Sequence, residues 1–198
     1  MTFIIGRTWD EFKIFLDKLS FYNPHRKIVF IHNLSFEFTY LQSEFNISNV
    51  FARKSRKVMK CELSDYNIEL RCSYFLSNCK LEDLSDLYKL PVEKQVGSLN
   101  YDLIRHSASK ITKQELKYCE YDCLVLYEYI KKELETYKKI DKIPLTNTGH
   151  VRRELKKRIY RNFGYEKKVR KAVNTNPHVY NLLISAFTRS AMFIVIEC

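Results

Sequence analysis

Apolar positions along this chain switch between two periods. From Thr8 the pattern is helical. Thr8-Trp9-Asp10-Glu11 has the form of a capping box, with Thr8 as N-cap and Glu11 reaching back. Phe12, Phe15, Leu16 and Leu19 then follow at three- and four-residue spacing, which predicts an amphipathic helix over 8–20. The run 27–31 (KIVFI) is short, apolar and β-branched, the pattern of a buried strand. His32-Asn33-Leu34-Ser35 ends it, and 36–45 reads as a helix. Residues 50–63 and 66–76 are rich in β-formers and predict two or three more strands. Leu81, Leu84, Leu87 and Tyr88 predict a short helix, and 94–109 reads as loop. Thr112-Lys113-Gln114-Glu115 is a second capping box. It opens the longest predicted helix, 112–138, with Leu116, Cys119, Cys123, Leu126, Ile130 and Leu134 on one side. Strands alternating with helices predict an α/β domain, a central mixed sheet flanked by helices.

Beyond Pro144 the character changes. The stretch 151–172 carries ten Lys or Arg against two Glu, in a helical pattern. A solvated helix face and a phosphate-contacting arm both fit that density. The division expected is a domain over 1–144 and a basic helical segment over 145–198.

Charge extends this picture. The formal net charge of +11 suits a polyanion or an acidic membrane surface. No apolar run approaches the ~20 residues of a spanning helix, and the first residues lack the basic start and long apolar core of a signal peptide. Nucleic acid is therefore the expected partner, with a cytoplasmic, non-secreted location. With 45% hydrophobic residues, 14 Tyr and 13 Phe, the chain can bury a core, which excludes a disordered tail. None of the six cysteines forms a CxxC pair. Cys119 and Cys123 lack a second His or Cys pair to complete a zinc site, so the cysteines are expected reduced and packed as small hydrophobes.

Two segments carry candidate chemistry. His32-Asn33-Leu34-Ser35-Phe36-Glu37 spans the junction of a strand and a helix, where Asn33 or Ser35 could equally cap the helix. Tyr118-Cys119-Glu120-Tyr121-Asp122 lies early in the long helix, and its Tyr and Asp share a face. That face continues to Leu126, so Asp122 is expected to point partly inward. An inward carboxylate needs a partner, and a metal ion is a natural one.

Together, in this order, the two segments resemble the second and third exonuclease motifs of family B DNA polymerases, in the protein-primed branch of phages and linear plasmids. The resemblance covers most of 8–190. It implies an RNase H-like 3′–5′ proofreading exonuclease domain acting on the 3′ end of a DNA strand. It also implies Mg²⁺ or Mn²⁺ as cofactor and a terminal protein as priming partner. By the same resemblance Asp122 and Glu37 bind metal, Tyr118 orients the attacking water, and Lys94 stabilises charge on the scissile phosphate. Asn33 and Phe36 grip the terminal nucleotides. His32 either touches the strand or is structural. Ser73 and Tyr101 resemble DNA- and site-contacting positions, and 145–149 (LTNTG) with Arg152, beside Arg153, resembles the segment leading out of the domain. Hard carboxylate ligands suit either ion.

The resemblance breaks at both ends. The family's first motif, an Asp-x-Glu on the opening strand, should lie roughly fifty residues before Asn33, and only 32 residues stand there, none of them such a pair. Asp10-Glu11 is explained by the capping box. Two metal carboxylates are thus in hand where about four are needed, which predicts a weak or inactive nuclease. The absent strand belongs in the middle of the sheet, so its loss leaves an apolar edge open. After 181–188 (NLLISAFT) the family shows Gly-Gly where this chain has Arg189-Ser190, and the apolar ending 191–198 resembles a truncated or frameshifted frame. Two other readings compete: a non-catalytic DNA-binding module, and a nuclease completed by a partner chain.

Overall fold

The computed structural model describes residues 3–93 and 106–158. The expectations at Lys94, Tyr101, the rest of the basic stretch, Arg189-Ser190 and the apolar ending lie outside the described residues. The chain divides into two compact units, Met1–Asn147 and Thr148–Cys198, three residues later than the sequence division.

In the first unit, helix α1 (Trp9–Tyr22) opens with the capping box at Thr8 and Glu11 in place. Strand β1 (Lys27–Ile31) covers the KIVFI run and leads through His32-Asn33 into α2 (Leu34–Glu44). Three strands follow: β2 (Ile47–Ala52), β3 (Val58–Leu63) and β4 (Ile68–Cys72). Sequence periodicity placed strand character as far as 76. The strand ends at Cys72, and 73–77 is the short helix α3 (Ser73–Ser77), closed by Asn78 in the left-handed region. Helix α4 (Leu84–Tyr88) and the long α5 (Lys113–Tyr137) follow, α5 opening on the second capping box at Thr112.

The four strands form one mixed sheet in the order β1-β4-β3-β2. β2, β3 and β4 run as an antiparallel meander, and β4 pairs parallel with β1. The parallel register sets Ile31 opposite Cys72. On one face Ile68, Leu70, Cys72, Cys61 and Leu63 pack with Leu16 of α1 and Leu34 and Leu41 of α2. On the other, Phe30 of β1 packs with Leu76, Leu84, Val125, Tyr129 and Ile143. The fold is therefore α/β, with helices on both faces of the sheet.

Where Glu69, Arg71, Lys60 and Glu62 alternate onto that second face, the sheet is lined by charge. Glu69 is 2% exposed and meets Arg71, Arg26 and Lys60. Arg71 donates onward to the carbonyls of Ile143 (2.9 Å) and Ile140 (3.3 Å). A charged pair this deep is tolerated only when its remaining hydrogen-bonding groups are used. Here they tie the segment after α5 to the sheet.

The buried face of α5 differs from the one read off the apolar spacing. Tyr118, Val125, Tyr129, Glu133 and Tyr137 are buried, while Cys119 and Cys123 are exposed and Leu134 is 39% exposed. The tyrosines make the difference: an aromatic ring removes more apolar area from water than a thiol, so the tyrosine stripe wins the core. Leu126 and Ile130 remain partly buried beside it. In the second unit, α6 (Asn147–Lys156) begins at the division between the units and carries Arg152 and Arg153. Among the described helices none is long and apolar enough to cross a membrane.

Candidate nucleic-acid interface

Parallel pairing brings two distant segments to one end of the sheet. Because Ile31 stands opposite Cys72, the residues that leave the two strands, His32 and Ser73, emerge side by side. His32 Nδ1 and Ser73 Oγ lie 3.0 Å apart, and the His32 ring meets Tyr74 edge-on at 5.8 Å. In open α/β sheets ligands settle outside the carboxyl ends of the strands, and a cleft of about 370 Å³ lies here. It is lined by His32, Asn33, Ser35, Lys57, Tyr74 and Lys80, among others.

Each lining side chain has a local reason for its place. Asn33 occupies the N-cap of α2 in the left-handed region (φ 60°), a conformation Asn tolerates better than most residues. Its side chain makes no capping bond, contrary to one of the two sequence readings. Ser35 does not cap either: its hydroxyl donates to the Val58 carbonyl at 3.4 Å, tying α2 to the start of β3. Ser73 is fully buried and holds its hydroxyl against the His32 ring rather than facing the cleft, which its neighbour Tyr74 reaches. On the outer face of α2, Phe36 (57% exposed) and Tyr40 (50% exposed) form an edge-on pair at 5.4 Å. Exposed rings so placed offer a stacking platform for bases.

The carboxylates are arranged separately. Glu37, in the first turn of α2, lines a second, apolar cavity of about 520 Å³ with Phe12, Ile31 and Leu41. Loss of solvent there pushes its carboxyl up from the ordinary range. Tyr118 is buried and Asp122, one turn on, turns its Oδ1 away from solvent, the inward orientation expected of it. The face they share with Val125 and Tyr129 packs against Phe30 and Leu76, near neighbours in sequence of His32 and Ser73. Among the described residues no three His, Cys, Asp or Glu side chains stand close enough to share a metal ion. Glu37 and Asp122 alone do not make a two-ion centre.

Sequence reasoning missed Lys57, Tyr74 and Lys80. The signal for Lys57 was the basic run 53–57 (RKSRK) between two strands. For the other two nothing local distinguishes them from ordinary surface residues. Compared with known proteins, the chain matches no family model, no curated protein and no solved structure.

Proposed function

We propose that this chain is the 3′–5′ exonuclease domain of a protein-primed family B DNA polymerase, RNase H-like in fold, and that its own residues bind the 3′ end of a single DNA strand. The observation that carries the reading is that His32, which lines the cleft with Asn33, is held from behind by the buried Ser73, 41 positions away in sequence, at the carboxyl end of a parallel strand pair. Sequence resemblance assigned Asn33 and Ser73 to DNA contact and left His32 either touching the strand or structural. In this arrangement Asn33 hydrogen-bonds the terminal nucleotide, His32 is oriented by Ser73, and Phe36 with Tyr40 stacks on bases.

Support comes also from the sheet edge. Among the described residues β1 pairs only with β4, and none of its residues is fully buried, Val29 being 37% exposed, where the run reads in sequence as a buried strand. Parallel strands are normally covered on both sides. A strand along this open edge would make β1 internal, and the resemblance places a carboxylate-bearing strand in the middle of the sheet. Mg²⁺ or Mn²⁺ is the cofactor of this reading, with Glu37 and Asp122 as ligands beside carboxylates supplied by such a strand. The terminal protein is the partner it carries for priming. Without those further ligands the chain binds DNA and cleaves it poorly or not at all.

The test is anisotropy with a 5′-labelled single-stranded oligonucleotide, competed by linear and by circular single-stranded DNA. Linear DNA should compete better, and Asn33→Ala should weaken binding about tenfold, the worth of one hydrogen bond to a charged group. Equal competition by the circle removes the 3′-end reading. Mn²⁺-dependent digestion lost on Asp122→Ala would show instead that the chain is catalytically complete.

A further inference from the structure

The loop joining β2 and β3 contains Arg53, Lys54, Ser55, Arg56 and Lys57, all exposed. It is a closed turn rather than a loose excursion. The Arg53 N–H donates to the Lys57 carbonyl and the Lys57 N–H to the Lys54 carbonyl, both at 3.0 Å, and Arg56 takes the left-handed conformation at φ 59°. Its exit is tethered beside the cleft, because Val58 accepts the Ser35 hydroxyl. Lys57 itself lines the cleft with His32 and Asn33.

Among the described residues the charges of this loop find no acidic partner: none of Arg53, Lys54, Arg56 and Lys57 enters an ion pair, whereas Lys80, on the same cleft, is paired with Glu82 at 3.1 Å. Four like charges on one tight turn repel one another, a cost that an anion relieves.

We propose that the β2–β3 loop is a phosphate clamp for single-stranded DNA: Lys57 holds a phosphate inside the His32–Asn33 cleft, and Arg53, Lys54 and Arg56 hold the backbone of the strand as it leaves. The proposal rests on the 3′-end reading of the cleft and adds the element that binds the strand without regard to sequence. Such contacts release counterions, and each neutralised phosphate of a single strand contributes about −0.7 to the slope of log K against log salt.

The test compares Arg53→Gln/Lys54→Gln/Arg56→Asn/Lys57→Gln with Asn33→Ala, using a labelled oligothymidylate of sixteen nucleotides over a range of NaCl concentrations. Asn suits the left-handed position, and an unchanged circular dichroism spectrum and melting curve establish that the variant folds. If it does not, Lys57→Gln alone is compared. The clamp predicts a slope shallower by about 2 to 3 for the quadruple variant, or about 0.7 for Lys57→Gln, with at least about tenfold weaker binding at low salt for the quadruple. Asn33→Ala should keep the slope and lose affinity. An unchanged slope in the loop variant overturns the clamp. A flattened slope with Asn33→Ala at full affinity retains the clamp and overturns the cleft reading.

Discussion

Glu69→Ala is the substitution whose outcome the structure constrains most. The Glu69 side chain is 3% exposed and touches three cations, of which Arg71 is 10% exposed at its side chain. Removing the carboxylate leaves Arg71 without its charge partner in a poorly solvated place. Lys60 and Arg26 keep Glu62 and so lose less. Breaking a buried pair from one side costs about 3 to 5 kcal/mol, and the remaining carbonyl bonds of Arg71 place this case near the lower end, about 3 kcal/mol. Urea unfolding of the two proteins measures it, as a lower midpoint at unchanged slope. Glu69→Ala/Arg71→Met, which removes both charges, should recover most of the loss. The pH dependence has a definite sign. Burial pushes the Glu69 carboxyl up, but the hydrogen bonds from Arg71 and Lys60 outweigh it and hold the group below its ordinary range. Its contribution is thus complete above the ordinary glutamate pKa of about 4.3 and drains away as pH falls below it. The stability gap between wild type and Glu69→Ala should narrow in acid. A loss under about 1 kcal/mol, or a gap that widens in acid, would refute the reasoning.

Other expectations follow from single sites. Leu34 is fully buried between α2 and the sheet, so Leu34→Ala should cost about 3 kcal/mol in urea unfolding. Thr112→Ala removes the N-cap of α5 and should cost about 1 kcal/mol by the same assay. A thiol reagent at pH 8 should modify the exposed Cys119 and Cys123 of the native protein and spare Cys61 and Cys72, as mapped by mass spectrometry. Cys61 is doubly protected, since burial, with a smaller push from Glu62, raises its thiol to about 11.

Local signals in the sequence carried far because each is enforced within one turn or one strand. Two capping boxes determined where α1 and α5 begin, and the β-branched run 27–31 determined β1 to the residue. The apolar alternation of 50–76 determined that strands lie there, though not that the third stops at Cys72. The Tyr118–Asp122 pair was legible as an inward face because four-residue spacing fixes it on any helix. The stripe on the rest of α5 was not legible: tyrosine carries both an apolar ring and a hydroxyl, and only the space beneath the helix decides which of them counts.

What the tertiary structure alone decided is the cleft. His32 and Ser73 carry no signal toward each other along the chain. They meet because β4 enters the sheet parallel to β1 with Ile31 opposite Cys72, and a shift of one residue would have turned every side chain of β4 to the other face. Among the described residues the same pairing leaves β1 at the end of the sheet order, and the Ser35–Val58 hydrogen bond holds the exit of the basic 53–57 turn beside the cleft. Sequence determined the elements because hydrogen bonding and burial within an element are local. Neighbourhood at the cleft is set by strand register, which is a property of the assembled sheet.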